Sequence, residues 1–132
     1  MKKKILITCG ISGIFAVSLG ALGAHALKAL ISTDQLKSFE TASDYHLIHT
    51  LALMALIPLT NHLEKRYTQL IYLFFVLGLF LFSGSIYALA TKELLGISSW
   101  ASVLGPITPI GGLCFIAGWT TLLYAGFKYN SK

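Results

Sequence analysis

A chain of 132 residues that is 55% hydrophobic and 11% charged, with a mean hydropathy of +0.74, does not read as a soluble domain. Soluble domains carry about 25% charged residues, and one this apolar would expose large sticky patches. The net charge of +5 does not indicate a nucleic-acid binder either, because the ten Lys and Arg residues lie mostly at the ends of apolar runs, with no basic stripe interleaved with aromatics.

The first apolar run, from Ile5 to about Leu27, carries no Lys, Arg, Asp or Glu and is long enough to span a bilayer, which takes ~20 residues. Lys2-Lys3-Lys4 and Ala24-His25-Ala26 resemble the ends of a signal peptide. The run exceeds the ~7–15 residues of an apolar signal core, however. Ser12, Ala16, Gly20 and Ala24 also recur at steps of four, a small-residue stripe suited to close helix packing. The run is read as a retained span. Cys9 lies inside it and Cys114 inside a later run. Neither fits a disulfide framework or a metal motif, and both read as small packing residues.

A polar connector over Lys28–Asp44 follows. Ser32 and Gln35 have the spacing of a capping box, and Asp34 in the first turn suits the helix dipole. The connector helix is predicted to run directly into segment two, about residues 41–60, with Pro58 near its far end where a lost hydrogen bond costs least. Within it, His46 and His49 are three residues apart and share one broad helix face. Asn61–Arg66 is a charged turn in which His62 is solvated.

Segment three, about 67–90, has a dense apolar centre and ends in Ser83-Gly84-Ser85 and Tyr87. A second connector reaches Gly105, with Trp100 as an interfacial anchor. Segment four, about 107–127, is predicted to open at Pro106 and Pro109, as prolines favour a first helical turn. Gly111, Cys114, Gly118, Thr121 and Ala125 form a second small-residue seam, and Trp119 and Tyr124 read as packing or lipid-facing aromatics.

Four spans place both termini on one side. Lys2, Lys3, Lys4, Lys65, Arg66, Lys128 and Lys132 then face Lys28, Lys37 and Lys92 across the membrane. The positive-inside rule makes the richer side cytoplasmic. The expectation is an all-α domain over 1–132: an antiparallel four-helix transmembrane bundle in a bacterial inner membrane. His25, Asp44, Tyr45, His46, His49, Ser83, Ser85, Tyr87 and Thr108 are then expected to gather near the outer face as one polar cluster. Gly20, Ala24, Gly84, Gly111, Gly112 and Gly118 are the expected helix-packing positions.

Four segments in order carry a resemblance: Ala21-Leu22-Gly23-Ala24-His25-Ala26-Leu27, Tyr45-His46-Leu47-Ile48-His49-Thr50-Leu51-Ala52-Leu53, Phe82-Ser83-Gly84-Ser85-Ile86-Tyr87 and Ile107-Thr108-Pro109-Ile110-Gly111-Gly112. They resemble the signature segments of the domain-of-unknown-function 423 family, small multi-pass proteins of bacterial inner membranes with eukaryotic relatives. The resemblance implies a four-helix membrane protein and no established activity.

The polar residues admit several roles. As interhelical glue, such contacts are worth about 0.6–2 kcal/mol each in a membrane, and glue suffices to specify a structural, envelope-associated bundle. As a pocket, they would hold a lipid headgroup or small amphiphile. Proton- or ion-coupled transport lacks a matching polar path through the inner half. A metal-dependent enzyme would need His25, His46 and His49 as ligands, with Asp44 or Glu40 behind them. No glutamate base sits between the histidine pair as in a zincin helix, and no nucleophile-elbow motif backs a serine triad of Ser83 or Ser85, His49 and Asp44. No cofactor or metal is expected. The expected partners are membrane lipid and either a second copy or another membrane protein, with no nucleic acid.

Overall fold

The structure, a computed structural model, describes residues 1–129; Lys132 of the charge tally lies outside the described residues. It is built of helices: α1 (Lys2–His25), α2 (Thr33–Leu59), α3 (Lys65–Gly78), a π-helical segment (Leu79–Gly84), α4 (Ser85–Ala90) and α5 (Ala101–Phe127), with short 3₁₀ turns at Leu27–Ala29 and Ser98–Trp100. α3, the π segment and α4 form one continuous rod. Three stretches, Lys2–Ala29, Lys65–Ala90 and Ser98–Phe127, are long and apolar enough to cross a membrane.

α2 begins where its cap dictates. Ser32 Oγ accepts from the Gln35 N–H at 3.2 Å, and Gln35 Oε1 accepts from the Ser32 N–H at 2.9 Å, so two otherwise orphaned donors are satisfied. The helix then continues unbroken through Asp44 to Leu59. It does not meet the length and hydropathy of a span as the other three stretches do, because Asp34, Lys37, Glu40 and Asp44 occupy its first half.

α5 departs from the sequence expectation. It begins at Ala101, so Pro106 and Pro109 stand inside the helix rather than in its first turn. Each removes one donor, leaving the carbonyls of Ser102 and Gly105 without their i+4 partners. Neighbouring groups make such gaps tolerable in membrane helices, so a proline there does not mark a boundary.

The contacts define an up-down-up-down bundle. α1 and α2 are antiparallel: Cys9 Sγ meets the Thr50 carbonyl, Ser12 meets His46, and Gly20 lies beside Ser43. The α3–α4 rod and α5 are also antiparallel, with Tyr67 against Tyr124, Gly118 against Phe75, and Ser85 bonded to Thr108. The buried α1 positions Ile5, Cys9, Ser12, Ala16, Gly23 and Leu27 fall at steps of three, four or seven, the seam spacing of helices packed at a shallow angle.

Two apolar clusters fill the interior. One joins Ile5, Leu53, Leu56, Ile71, Phe75 and Phe115; the other, towards the connectors, joins Leu27, Phe39 and Ala90. The outer surface is apolar as well, with Ile14 69% and Phe80 73% exposed, which matches side chains facing lipid.

Candidate functional site: a polar layer between two apolar clusters

Between those clusters lies a chain of hydrogen bonds whose direction follows by elimination. Thr50 Oγ1 donates to the His46 carbonyl at 2.8 Å, so its contact with Ser12 Oγ at 2.6 Å has Ser12 as donor. The Ser12 proton is thereby used, and the 3.0 Å contact between Ser12 Oγ and His46 Nε2 requires Nε2 to carry the proton. His46 Nδ1 then accepts from the Tyr87 hydroxyl at 3.3 Å. The chain ties α1, α2 and α4 together through one neutral imidazole.

His49 takes the opposite tautomer. An indole N–H only donates, so Trp119 Nε1 at 3.2 Å makes His49 Nε2 an acceptor. Nδ1 carries the proton and donates to the Tyr45 carbonyl at 2.8 Å. The buried ring also stacks on Phe115, centroids 3.5 Å apart at 15°, and meets Phe75 edge-on at 5.3 Å. Protonating Nε2 would set two N–H groups head to head, so this geometry holds His49 neutral.

The remaining expected residues divide. Ser85 Oγ and Thr108 Oγ1 share a 2.6 Å bond between α4 and α5, and Ser85 also contacts the carbonyls of Leu81 and Phe82. Ser83 is fully buried, and its hydroxyl finds no partner among the described residues. Asp44 and His25 are exposed. The thirteen residues from Ser12 to His25 amount to about 20 Å along α1, so His25 does not join His46. The polar residues therefore form separate interhelical fastenings at different levels, with His46 and His49 amid the bundle.

The metal and triad arrangements are not assembled. Among the described residues no three His, Cys, Asp or Glu side chains are grouped to hold an ion. The serines bond away from His49, and Asp44 lies on the surface.

Of the packing positions, Gly111 and Gly118 sit in the α5 seam against Phe82 and Phe75, and Gly20 faces Ser43. Ala24 and Gly84 are exposed, and Gly112 is half-buried. Sequence reasoning did not single out Gly78 against Phe115, Gly23 against Phe39, the Thr8–Tyr72 bond, or Thr50 as a network member. Thr50 follows His46 by four residues, and that spacing was its only local signal.

These features define a helical membrane protein with internal polar fastenings. The model of the family described as "Protein of unknown function (DUF423)" matches residues 19–112. The chain is 37% identical over 131 residues to a "UPF0382 membrane protein" of Haemophilus influenzae, covering 99% of each. It is 36% identical over 129 residues to "UPF0382 membrane protein YwdK" of Bacillus subtilis, covering 96% of this chain and 98% of that one. It is 36% identical over 131 residues to "UPF0382 inner membrane protein YgdD" of Escherichia coli K12, covering 97% and 92%. The chain belongs to this family of uncharacterised membrane proteins. No solved structure matches it.

Proposed function

We propose that the chain is a four-span bundle of the bacterial inner membrane with both termini cytoplasmic, and that its work is structural, as a helical scaffold of the envelope. One observation carries the structural reading: each histidine engages both ring nitrogens with groups of the protein itself. Neither imidazole holds a nitrogen ready for a substrate, a proton path or a metal, whereas both lock neighbouring helices. The four-span reading draws support from the antiparallel pairing of α2 with α1 and from the outward Leu47, Ile48, Leu51 and Met54 of α2, each 44–53% exposed. The distribution of Lys and Arg supports the orientation.

The test is thermal unfolding in detergent. His46→Ala and His49→Ala each remove an interhelical fastening, and each is expected to lower Tm by a measurable margin, consistent with about 0.6–2 kcal/mol per bond. If both variants melted like the parent protein, the fastening role would be lost.

A further inference from the structure

The four helices do not close evenly. α1 packs along α2, but its other flank faces the α3–α4 rod across a half-open cleft of about 500 Å³. That size lies within the ~300–1,000 Å³ of small-molecule sites. The walls are mainly apolar, with Phe15 and Phe80, 58% and 73% exposed, among the side chains that line it. At one end Thr8 Oγ1 and the Tyr72 hydroxyl share a 2.8 Å bond that ties the walls together. From Thr8 to Leu19 the cleft follows eleven residues of α1, about 16 Å or half of a ~30 Å hydrocarbon core.

We propose that this cleft holds one hydrocarbon chain of a membrane lipid. The inference rests on α1 and the α3–α4 rod lying within the bilayer. A second copy of this chain does not fit, because a helix with its side chains is about 10–12 Å across and the Thr8–Tyr72 tie obstructs its passage. Water is a poor occupant of an apolar cleft, and an empty one forfeits dispersion contacts along both walls. The polar atoms in the back wall, on Ser12, His46 and Tyr87, are bonded to one another. They therefore offer a headgroup nothing to pair with, and the site selects a chain rather than a headgroup. Gly84 lines the cleft with the nearest atom to an added Cβ at 3.7 Å, so a larger side chain there fills the space without colliding with the helices.

The experiment uses the full chain, reconstituted in vesicles of phosphatidylethanolamine and phosphatidylglycerol, extracted in mild detergent and examined by native mass spectrometry. The parent protein is expected to retain one phospholipid. Gly84→Leu is expected to lose it, while Gly126→Leu, at a glycine with open space around it, keeps it. Ile11→Trp fills the cleft from the opposite wall and serves if Gly84→Leu does not fold; it too is expected to lose the lipid. No retained lipid in the parent protein, or equal retention in the filled variants and Gly126→Leu, overturns the proposal. Alkaline carbonate extraction of the same membranes separates this failure from the broader one. Protein that stays in the membrane without a bound lipid refutes the chain site alone, whereas protein released by carbonate refutes the embedded bundle on which it rests.

Discussion

The indole N–H of Trp119 on α5 donates to Nε2 of His49 on α2 at 3.2 Å, while the same imidazole lies flat on Phe115. A hydrogen bond between side chains 70 residues apart in sequence fixes the rotation of α5 against α2 and the tautomer of the histidine together. Trp119→Phe keeps the aromatic volume and deletes the donor. In a double-mutant cycle with His49→Ala, unfolding in detergent is expected to reveal a coupling of about 0.6–1.7 kcal/mol, the range for such bonds in membranes. Strictly additive effects would mean that the contact contributes only packing.

Gly111 and Gly112 are adjacent, yet the structure assigns them opposite sensitivities. A methyl group at Gly111 would run into the backbone at Leu81 and Phe82, where the π segment presses against α5. At Gly112 it would meet the Phe82 ring at an ordinary 3.7 Å. Gly111→Ala is expected to destabilise by about 1–3 kcal/mol or more through forced separation of the helices. Gly112→Ala is expected to be neutral or mildly stabilising, since alanine is favoured over glycine in a helix by up to about 1 kcal/mol. Paired thermal melts of the two variants decide it, and similar losses at both would refute this packing.

The difference between the two glycines shows what sequence periodicity conveys. The small-residue seam of α5 was legible because Gly111 and Gly118 recur at helical spacing, and the start of α2 because Ser32 and Gln35 satisfy each other locally. The role of Ser12 was not legible in full: it lies in a stripe of small residues, but its partners His46 and Thr50 are 34 and 38 residues away. His46 and His49 were placed on one face, yet three residues leave about 60° between them on a helix of 3.6 residues per turn. That angle suffices to send His46 towards α1 and α4 and His49 towards α5. The π segment has no sequence signature comparable to a cap or a proline. It shifts the register of Ser83 and Ser85 by a fraction of a turn, and it separates their fates.

Ser83 and Ser85 therefore form a matched pair of probes. Ser83 is buried without a hydrogen-bond partner, so its hydroxyl is desolvated at a cost. Ser83→Ala is expected to leave stability unchanged or raise it by up to about 1 kcal/mol. Ser85→Ala deletes the 2.6 Å bond to Thr108 and is expected to lower it by about 0.6–2 kcal/mol. Equal losses at both positions would show that Ser83 is satisfied in the membrane after all.

The four-span reading turns on α2, whose apolar run from Tyr45 to Leu59 covers only about 22 Å at 1.5 Å per residue, short of a ~30 Å core. The shortfall is reduced by the preceding turns, where the exposed Asp34, Lys37, Glu40 and Asp44 recur at steps of three or four while Phe39 and Ala42 are buried. Such a helix keeps one charged stripe towards headgroups as its apolar face continues the span. Cysteine labelling tests this directly, in a background with Cys9 and Cys114 replaced by alanine. A single cysteine at Lys37 or Glu93 is expected to react with a membrane-impermeant maleimide added outside intact cells, and one at His62 only after the membrane is opened. If Lys37 and His62 label from the same side, α2 does not cross and the bundle has three spans. If all three positions behave in the reverse sense, the bundle keeps four spans and the termini face outward, against the distribution of its lysines.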